Sequence, residues 1–316
     1  MDEALTETTR RELNKANRIL IVSHVRPDGD AVGSMLGLGL ALQEAGKSVQ
    51  MVLEDGVPAG ESRLPGSEQV RLKPEGEFDL TIVVDCSELA RVGEALNGYG
   101  LPDWNIDHHI TNLNFARLNL VQPEAASTAE MVAEMIPAWG FSLSPRAVSA
   151  LLAGILTDTL GFRTSNVTPK TLRVAASLVE AGGNLYELYH DALLQRSYQA
   201  ARYWGLGLSK IQREGRMVWT TLTLADRRAA EYSGRDDADL INVVSVIDET
   251  DVSLVFVEQN HSHIKVSWRS QPGFDVSQIA LYFGGGGHKA AAGADVDGTL
   301  EEVLEKVLTA TRTLWG

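Results

Sequence analysis

A single cysteine, Cys86, among 316 residues excludes an intramolecular disulfide. With no oxidised framework, a cytoplasmic home is expected. No apolar run approaches the roughly 18–20 residues that a membrane span needs. Met1 to Asn17 mixes acids, bases and threonine without an apolar centre, so it is not expected to be a signal peptide. Basic residues are also scarce: 28 Lys+Arg against 42 Asp+Glu give a formal net charge of −14. A protein that grips long nucleic acid through its backbone shows a basic footprint. Long duplex DNA or RNA is therefore excluded as a partner, as is a membrane. A short anionic ligand remains compatible if local cations or bound metal supply positive charge. With 44% hydrophobic and 22% charged residues, the chain is globular rather than disordered or coiled coil.

At roughly 100–200 residues per domain, the length suggests about two domains. Short β-branched runs at 19–22, 47–53 and 80–84, and a strand end at 105–107, alternate with helix-length segments such as 31–45. This predicts an α/β fold, with a parallel sheet and flanking helices. Helices are predicted over 128–139, 147–156 and 169–181, and residues 185–211 read as largely helical. After about Glu214 the texture changes, with strands at 217–224, 253–259 and 263–269 and helices at 239–247, 276–283 and 300–314. The expected division is a first unit over 1–184, a helical linker over 185–213, and a smaller α/β unit over 214–316.

In parallel sheets, ligand sites gather beyond the carboxyl ends of strands. His24, Asp85 and Asp107-His108-His109 all fall at such ends. His24-Val-Arg-Pro-Asp28-Gly-Asp30 reads as a turn whose side chains converge on a cation, or as a turn with a helix-capping Asp30. Asp158 follows a helix with almost no charge, where a buried carboxylate needs a partner. Carboxylates suit hard ions such as Mg2+ and Mn2+, and added imidazole shifts the balance toward Mn2+, Fe2+ or Zn2+. The set is large enough for two ions sharing one carboxylate. Such a pair can activate water and clamp a phosphoryl group under in-line attack.

Gly284 to Gly287, followed by His288-Lys-Ala-Ala-Ala-Gly293, is the other unusual stretch. It reads either as a backbone nest for phosphate or as a flexible loop between packed helices. No Gly-Lys-Ser/Thr follows, so it is not a P-loop. Arg269, His288 and Arg163 are candidate phosphate or base contacts, although a lone arginine is more often solvated surface.

The ordered set His24-x-x-x-Asp28-x-Asp30, Asp85, Asp107-His108-His109 and Asp158 resembles the DHH phosphoesterase superfamily. The Gly284–Gly293 element resembles the DHHA1 substrate domain of one branch. The resemblance spans essentially the whole chain and is closest to the bacterial oligoribonuclease (nanoRNase) and pAp phosphatase group. It implies a DHH catalytic domain and a DHHA1 domain with a cleft between them. It implies one ion held by His24, Asp28 and Asp85, and a second by Asp30, Asp85, His108 and Asp158, with Asp85 bridging. The usual ion is Mn2+, with Mg2+ as the other candidate. It further implies that His109 faces the scissile phosphate and that Asp107 orients a histidine. By the same resemblance, Arg269, the Gly285, Gly286 and Gly287 backbone, and His288 are expected to hold the substrate.

The implied activity is two-metal hydroxide attack on short oligoribonucleotides, giving mononucleotides, and on 3′-phosphoadenosine 5′-phosphate, giving AMP. The alternative is a phosphodiesterase for cyclic or linear dinucleotides. A RecJ-like single-stranded DNA exonuclease would want more binding surface. A family pyrophosphatase would carry a basic motif in place of the glycine element. A non-catalytic nucleotide-binding regulator would not need intact metal motifs. Homodimerisation is left open.

Overall fold

The computed structural model describes residues 3–316. The chain forms two compact units, the first ending at Gln195 and the second running from Arg196 to Gly316.

In the first unit, α1 (Glu3–Lys15) precedes β1 (Arg18–Val22), α2 (Gly29–Glu44), β2 (Ser48–Val52), β3 (Leu80–Val84), β4 (Trp104–Asp107) and β5 (Leu118–Val121). Then follow α3 (Thr128–Ala138), α4 (Pro145–Asp158), α5 (Pro169–Glu180) and α6 (Leu185–Tyr189). The five strands pair in parallel in the order β2-β1-β3-β4-β5. Strands buried on both faces need not alternate, and Ile19 to Val22 and Ile82 to Val84 are all inaccessible. One face packs on α2, α3 and α4 through Ile19, Ile21, Ile82 and Val84. The other is covered by irregular chain, with Val92, Ala95 and Leu96 against Leu20, Val22 and Val83.

Helix α2 is apolar on every side and buried from Gly29 to Leu42, the pattern of a helix enclosed within a core. Asp28 caps it, its Oδ1 accepting from Asp30 N (3.1 Å) and Ala31 N (3.0 Å). Asp28 thus takes the capping role that the sequence offered to Asp30, and Asp30 turns inward from the first helical turn. Helices α2 and α4 run antiparallel in close contact. A Cβ at Gly33 would lie 2.6 Å from Ala150 O and 2.8 Å from Gly154 Cα. A Cβ at Gly154 would lie 2.7 Å from Ala129 Cβ and 3.0 Å from Asp30 Oδ1.

Residues 185–213 comprise α6, a π-helical turn at His190–Leu194, then α7 (Tyr198–Leu208) of the second unit. The second unit continues through β6 (Gln212–Glu214), β7 (Met217–Leu222), α8 (Leu224–Ala230), α9 (Leu240–Val244) and β8 (Val252–Asn260). It closes with β9 (His263–Ser270), α10 (Val276–Tyr282), β10 (Gly286–His288), β11 (Ala291–Asp297) and α11 (Leu300–Arg312). Its six strands lie in the order β10-β11-β9-β8-β7-β6, antiparallel except for the parallel pair β7 and β8. Alternation splits its faces. Ile264, Val266 and Trp268 share a core with Val276 of α10 and Val303 of α11, whereas Val255 and Val257 join Tyr203 and Leu240 on the opposite face. The glycine tract is therefore no flexible loop: Gly286–His288 is an edge strand paired with Ala291–Gly293.

Overpacking a dense core costs typically 1–3 kcal/mol. Gly33→Val should destabilise the first unit by about 2–3 kcal/mol, because the three nearest obstructing atoms are all α4 backbone. Gly205→Ala, in α7 with nothing within 4 Å of the added methyl, should stabilise by about 0.5–1 kcal/mol. Denaturant midpoints of the two variants check the contrast.

Candidate active site

Four segments of the first unit meet at the carboxyl end of its sheet. Chain leaving β1 supplies His24; α2 supplies Asp30, with Asp28 just ahead of it; chain leaving β3 supplies Asp85; and β4 ends in Asp107, followed by His108 and His109. Asp158 ends α4, where a carboxylate opposes the helix dipole and a cation would relieve it. Asp85 has φ 52°, a left-handed conformation that aspartate tolerates better than most residues and that concentrates at functional sites.

The histidine ring orientations are fixed from behind. His24 Nδ1 lies 2.9 Å from Val25 O and His108 Nδ1 lies 3.2 Å from Ala125 O. A proton on each Nδ1 satisfies these carbonyls and leaves the Nε2 lone pair for a ligand. His24 Nε2 is 3.9 Å from Asp28 Oδ2 and 3.8 Å from Asp85 Oδ2. His108 Nε2 is 3.9 Å from Asp30 Oδ2, 3.8 Å from Asp85 Oδ1 and 3.6 Å from Asp158 Oδ2. Atoms that surround one ion at about 2.1 Å stand about 3–4 Å apart. Two of the close groups are His24–Asp28–Asp85 and Asp30–Asp85–His108, with Asp85 turning a different oxygen to each. Asp85 Oδ2 is buried and makes no hydrogen bond. An orphaned carboxylate oxygen of this kind fits a divalent cation.

Asp107 is engaged differently. Its Oδ1 accepts from His108 N (2.9 Å) and His109 Nδ1 (2.7 Å), and its Oδ2 accepts from Asn112 Nδ2 (2.5 Å). It therefore orients His109.

Burial disfavours every charge here, and the neighbours decide the outcome. Burial, reinforced by Asp85 and Asp158, raises Asp30 well above the usual carboxylate range. Burial pushes Asp158 up to about 6 against the lowering pull of His108 and His109, with Asp28 and Asp85 adding to the rise. For Asp85, the three histidines overcome burial and hold the carboxyl low. His24 is raised because Asp85 and Asp28 outweigh burial. His109 is raised to about 9, its bond to Asp107 outweighing burial, and Asp107 is lowered in turn against its own burial. Burial pushes Cys86 up to about 12, which removes it as a thiolate ligand.

In the second unit, Ala291 of β11 pairs with Arg269 on one side and His288 on the other. Residues directly opposite share a face, so Arg269, Ala291 and His288 form one row with the smallest side chain in the middle. Arg269 Nη1 donates to Trp268 O at 3.0 Å. Glycine at 285 and 287 has a packing reason, since a Cβ would meet Gly293 O at 2.1 Å and Ala291 O at 2.5 Å respectively. Gly286 has no such reason: nothing lies within 4 Å of its missing Cβ. Arg163 is exposed in the turn after α4.

Residues 18–155 match the model of the DHH family, N-terminal domain, and residues 229–314 match that of the DHHA1 domain. The chain is 39% identical over 300 residues to the bifunctional oligoribonuclease and PAP phosphatase NrnA of Thermus thermophilus, covering 93% of this chain and 89% of that protein. The chain belongs to the DHH family. It is a hydrolase of phosphoester bonds. The protein of the same name from Mycoplasma pneumoniae is 28% identical over 293 residues, covering 88% of this chain and 87% of its own. Among solved structures, an exopolyphosphatase-related protein from Bacteroides fragilis superposes with a TM-score of 0.89 at 26% identity, over 99% of this chain and 96% of the other. RecJ of Thermus thermophilus in complex with Mn2+ shares the fold, with a TM-score of 0.53 at 15% identity over 98% of this chain and 53% of its own.

Around the DHH residues the structure adds three groups that the motif reading passed over. Thr128 Oγ1 donates to Asp85 Oδ1 (2.9 Å), and the Thr128 and Ala129 N–H groups donate to Asp30 at 2.7 and 2.9 Å. Arg91 Nη2 lies 3.3 Å from His24 Nδ1. Asn112 braces Asp107. Ser127-Thr128 reads locally as a helix start, and Arg91 sits in a 3-10 turn without periodic signal.

The raised carboxyls of this DHH centre set a pH dependence. The stability contributed by protonated Asp158 is present below the ordinary value of 3.8 and is lost as pH rises through about 6. A divalent cation must displace that proton at low pH and instead neutralises the carboxylates at high pH. The rise in unfolding temperature on adding Mn2+ should therefore be larger at pH 7.5 than at pH 5. Thermal melts of the metal-stripped protein at fixed Mn2+ check this.

Proposed function

We propose that this protein hydrolyses short oligoribonucleotides to mononucleotides and 3′-phosphoadenosine 5′-phosphate to AMP, using two Mn2+ ions. The observation that carries the reading is the division of Asp85 between two histidine–carboxylate groups, one on each oxygen. The name shared by the Thermus and Mycoplasma relatives supports the substrate class. The net charge of −14 fits a ligand too short to need a basic track.

In this reading His24, Asp28 and Asp85 hold one ion, and Asp30, Asp85, His108 and Asp158 hold the other. Bound divalent ions supply Lewis-acid activation of water and neutralise phosphoryl charge. Hydrolysis joins the water oxygen to phosphorus and breaks the bond from phosphorus to the leaving oxygen, which takes a proton. His109 is suited to give that proton. Its Nδ1–H is held by Asp107, so the protonated ring carries its second proton on Nε2, and a value near 9 keeps it charged at neutral pH. Arg269, His288 and the backbone at Gly286 are the substrate contacts that this reading assigns within the second unit.

A panel with Mn2+ at one salt concentration tests the proposal. Diribonucleotide, pAp, RNA of increasing length, cyclic di-AMP and single-stranded DNA are compared. Short RNA and pAp should be hydrolysed, with rates falling as RNA lengthens; hydrolysis confined to cyclic di-AMP would replace this reading with the cyclic-dinucleotide one. Asp85→Asn keeps a residue that tolerates the left-handed backbone, so the circular dichroism spectrum should not change. Its kcat should fall by more than the 10–100-fold typical of residues behind a metal ligand. Gly286→Ala should raise KM several-fold while leaving kcat and the unfolding midpoint unchanged.

A further inference from the structure

Glu130 is a buried carboxylate that the proposed chemistry does not use. Its side chain is inaccessible to solvent, and burying a carboxylate is costly without specific partners. It occupies the third position of α3, three residues after the helix-capping Ser127, whose Oγ accepts from Glu130 N at 3.0 Å. In a capping box, the glutamate at this position reaches back to the N–H of the cap residue itself. Here it reaches one residue further. Oε2 accepts from Ala126 N (2.9 Å) and from Thr171 Oγ1 in the first turn of α5 (2.9 Å). Oε1 makes no hydrogen bond and lies 3.8 Å from Lys170 Nζ. Ala126 is held through its carbonyl as well, which accepts from Asn166 Nδ2 at 3.2 Å.

The segment pinned in this way, Ala125 to Ala129, touches three ligand candidates. Ala125 O receives His108 Nδ1, Thr128 Oγ1 donates to Asp85 Oδ1, and the Thr128 and Ala129 N–H groups donate to the two oxygens of Asp30. Those three residues are one complete group, Asp30–Asp85–His108. In the other group His24 rests on Val25 O and Asp28 on the amides at the start of α2, so only the shared Asp85 links it to this segment, through the oxygen turned away from His24.

We infer that Glu130 is a positioning residue acting mainly on one ion site, holding residues 125–129 so that Asp30, His108 and the Asp85 oxygen that faces them keep their ligating orientation. The inference rests on the two-ion reading above. It also accounts for the carboxylate: a charge-assisted acceptor fixes the Ala126 amide more firmly than a neutral one.

The test is Mn2+ titration of the metal-stripped full chain, with free Mn2+ followed by electron paramagnetic resonance and the His108 ring followed by 15N chemical shifts. Wild type is compared with Glu130→Met, which keeps length without an acceptor, and Glu130→Gln, which keeps a neutral acceptor. Wild type should bind two ions. Glu130→Met should keep one close to wild-type affinity and bind the other about 10–100-fold more weakly, with His108 losing its single tautomer, and Glu130→Gln should recover most of that loss. Unchanged affinities in Glu130→Met overturn the inference. So does equal weakening at both sites with no recovery in Glu130→Gln, since that is a packing defect. If Glu130→Met does not fold, Glu130→Gln decides: a small loss at one site supports the inference and no loss overturns it. If wild type binds fewer than two ions, the two-ion reading falls by itself. The His108 shifts then decide the present point, moving in the variants if Glu130 positions the ring and staying fixed if it does not.

Discussion

The close approach of α2 and α4 is the contact on which the rest of the centre depends. Gly29, Gly33 and Gly37 of α2 meet Thr157, Gly154 and Leu151 of α4 in an antiparallel ladder, backbone against backbone at Gly33 and with the Thr157 and Leu151 side chains filling the space over Gly29 and Gly37. Because the helices are antiparallel, the start of α2 stands against the end of α4. That brings Asp30 and Asp158 to the same place from residues far apart in the chain. A wider crossing would separate them by the thickness of a side chain, and no adjustment of the loops would restore the spacing around His108.

The same contact explains how so many carboxylates are tolerated together. The amino ends of α2 and α3 point their unpaired N–H groups at Asp28 and Asp30, which uses helix polarity to hold negative charge. Asp158 has the opposite end of a helix and Asp85 keeps one oxygen without a hydrogen bond. Held carboxylates and needy carboxylates alternate, and a cation added to such an arrangement meets ligands already in position. The acid excess of the whole chain is, at this point, an organised local charge.

Much of this was legible in the sequence because each motif ends an apolar run. His24 follows Ile19–Val22 and Asp85 follows Leu80–Val84, so strand ends could be located and the side chains grouped by the rule for parallel sheets. What could not be read was whatever depended on chain remote in sequence. Ser-Thr-Ala-Glu at 127–130 looks like any helix start, and only the fold shows Thr128 on Asp85 and Glu130 reaching past its own cap. The glycine tract was open between a nest and a loop because glycine is depleted in strands. Its partner Ala291–Gly293 makes it a strand, and Gly285 and Gly287 are required by the closeness of that pairing. Arg91 carried no signal at all, lying in a single 3-10 turn.

The edge strands of the second unit bear on solubility. A mixed sheet of six strands ends on one side in Gly286–His288 and on the other in Gln212–Glu214, each three residues long. One edge is mostly glycine, and the other is exposed and charged. Neither offers the long, flat row of unpaired amides and carbonyls on which a strand from another molecule could grow. The interior strands can therefore be long and apolar, as Val252–Asn260 is, without making the unit a template for aggregation.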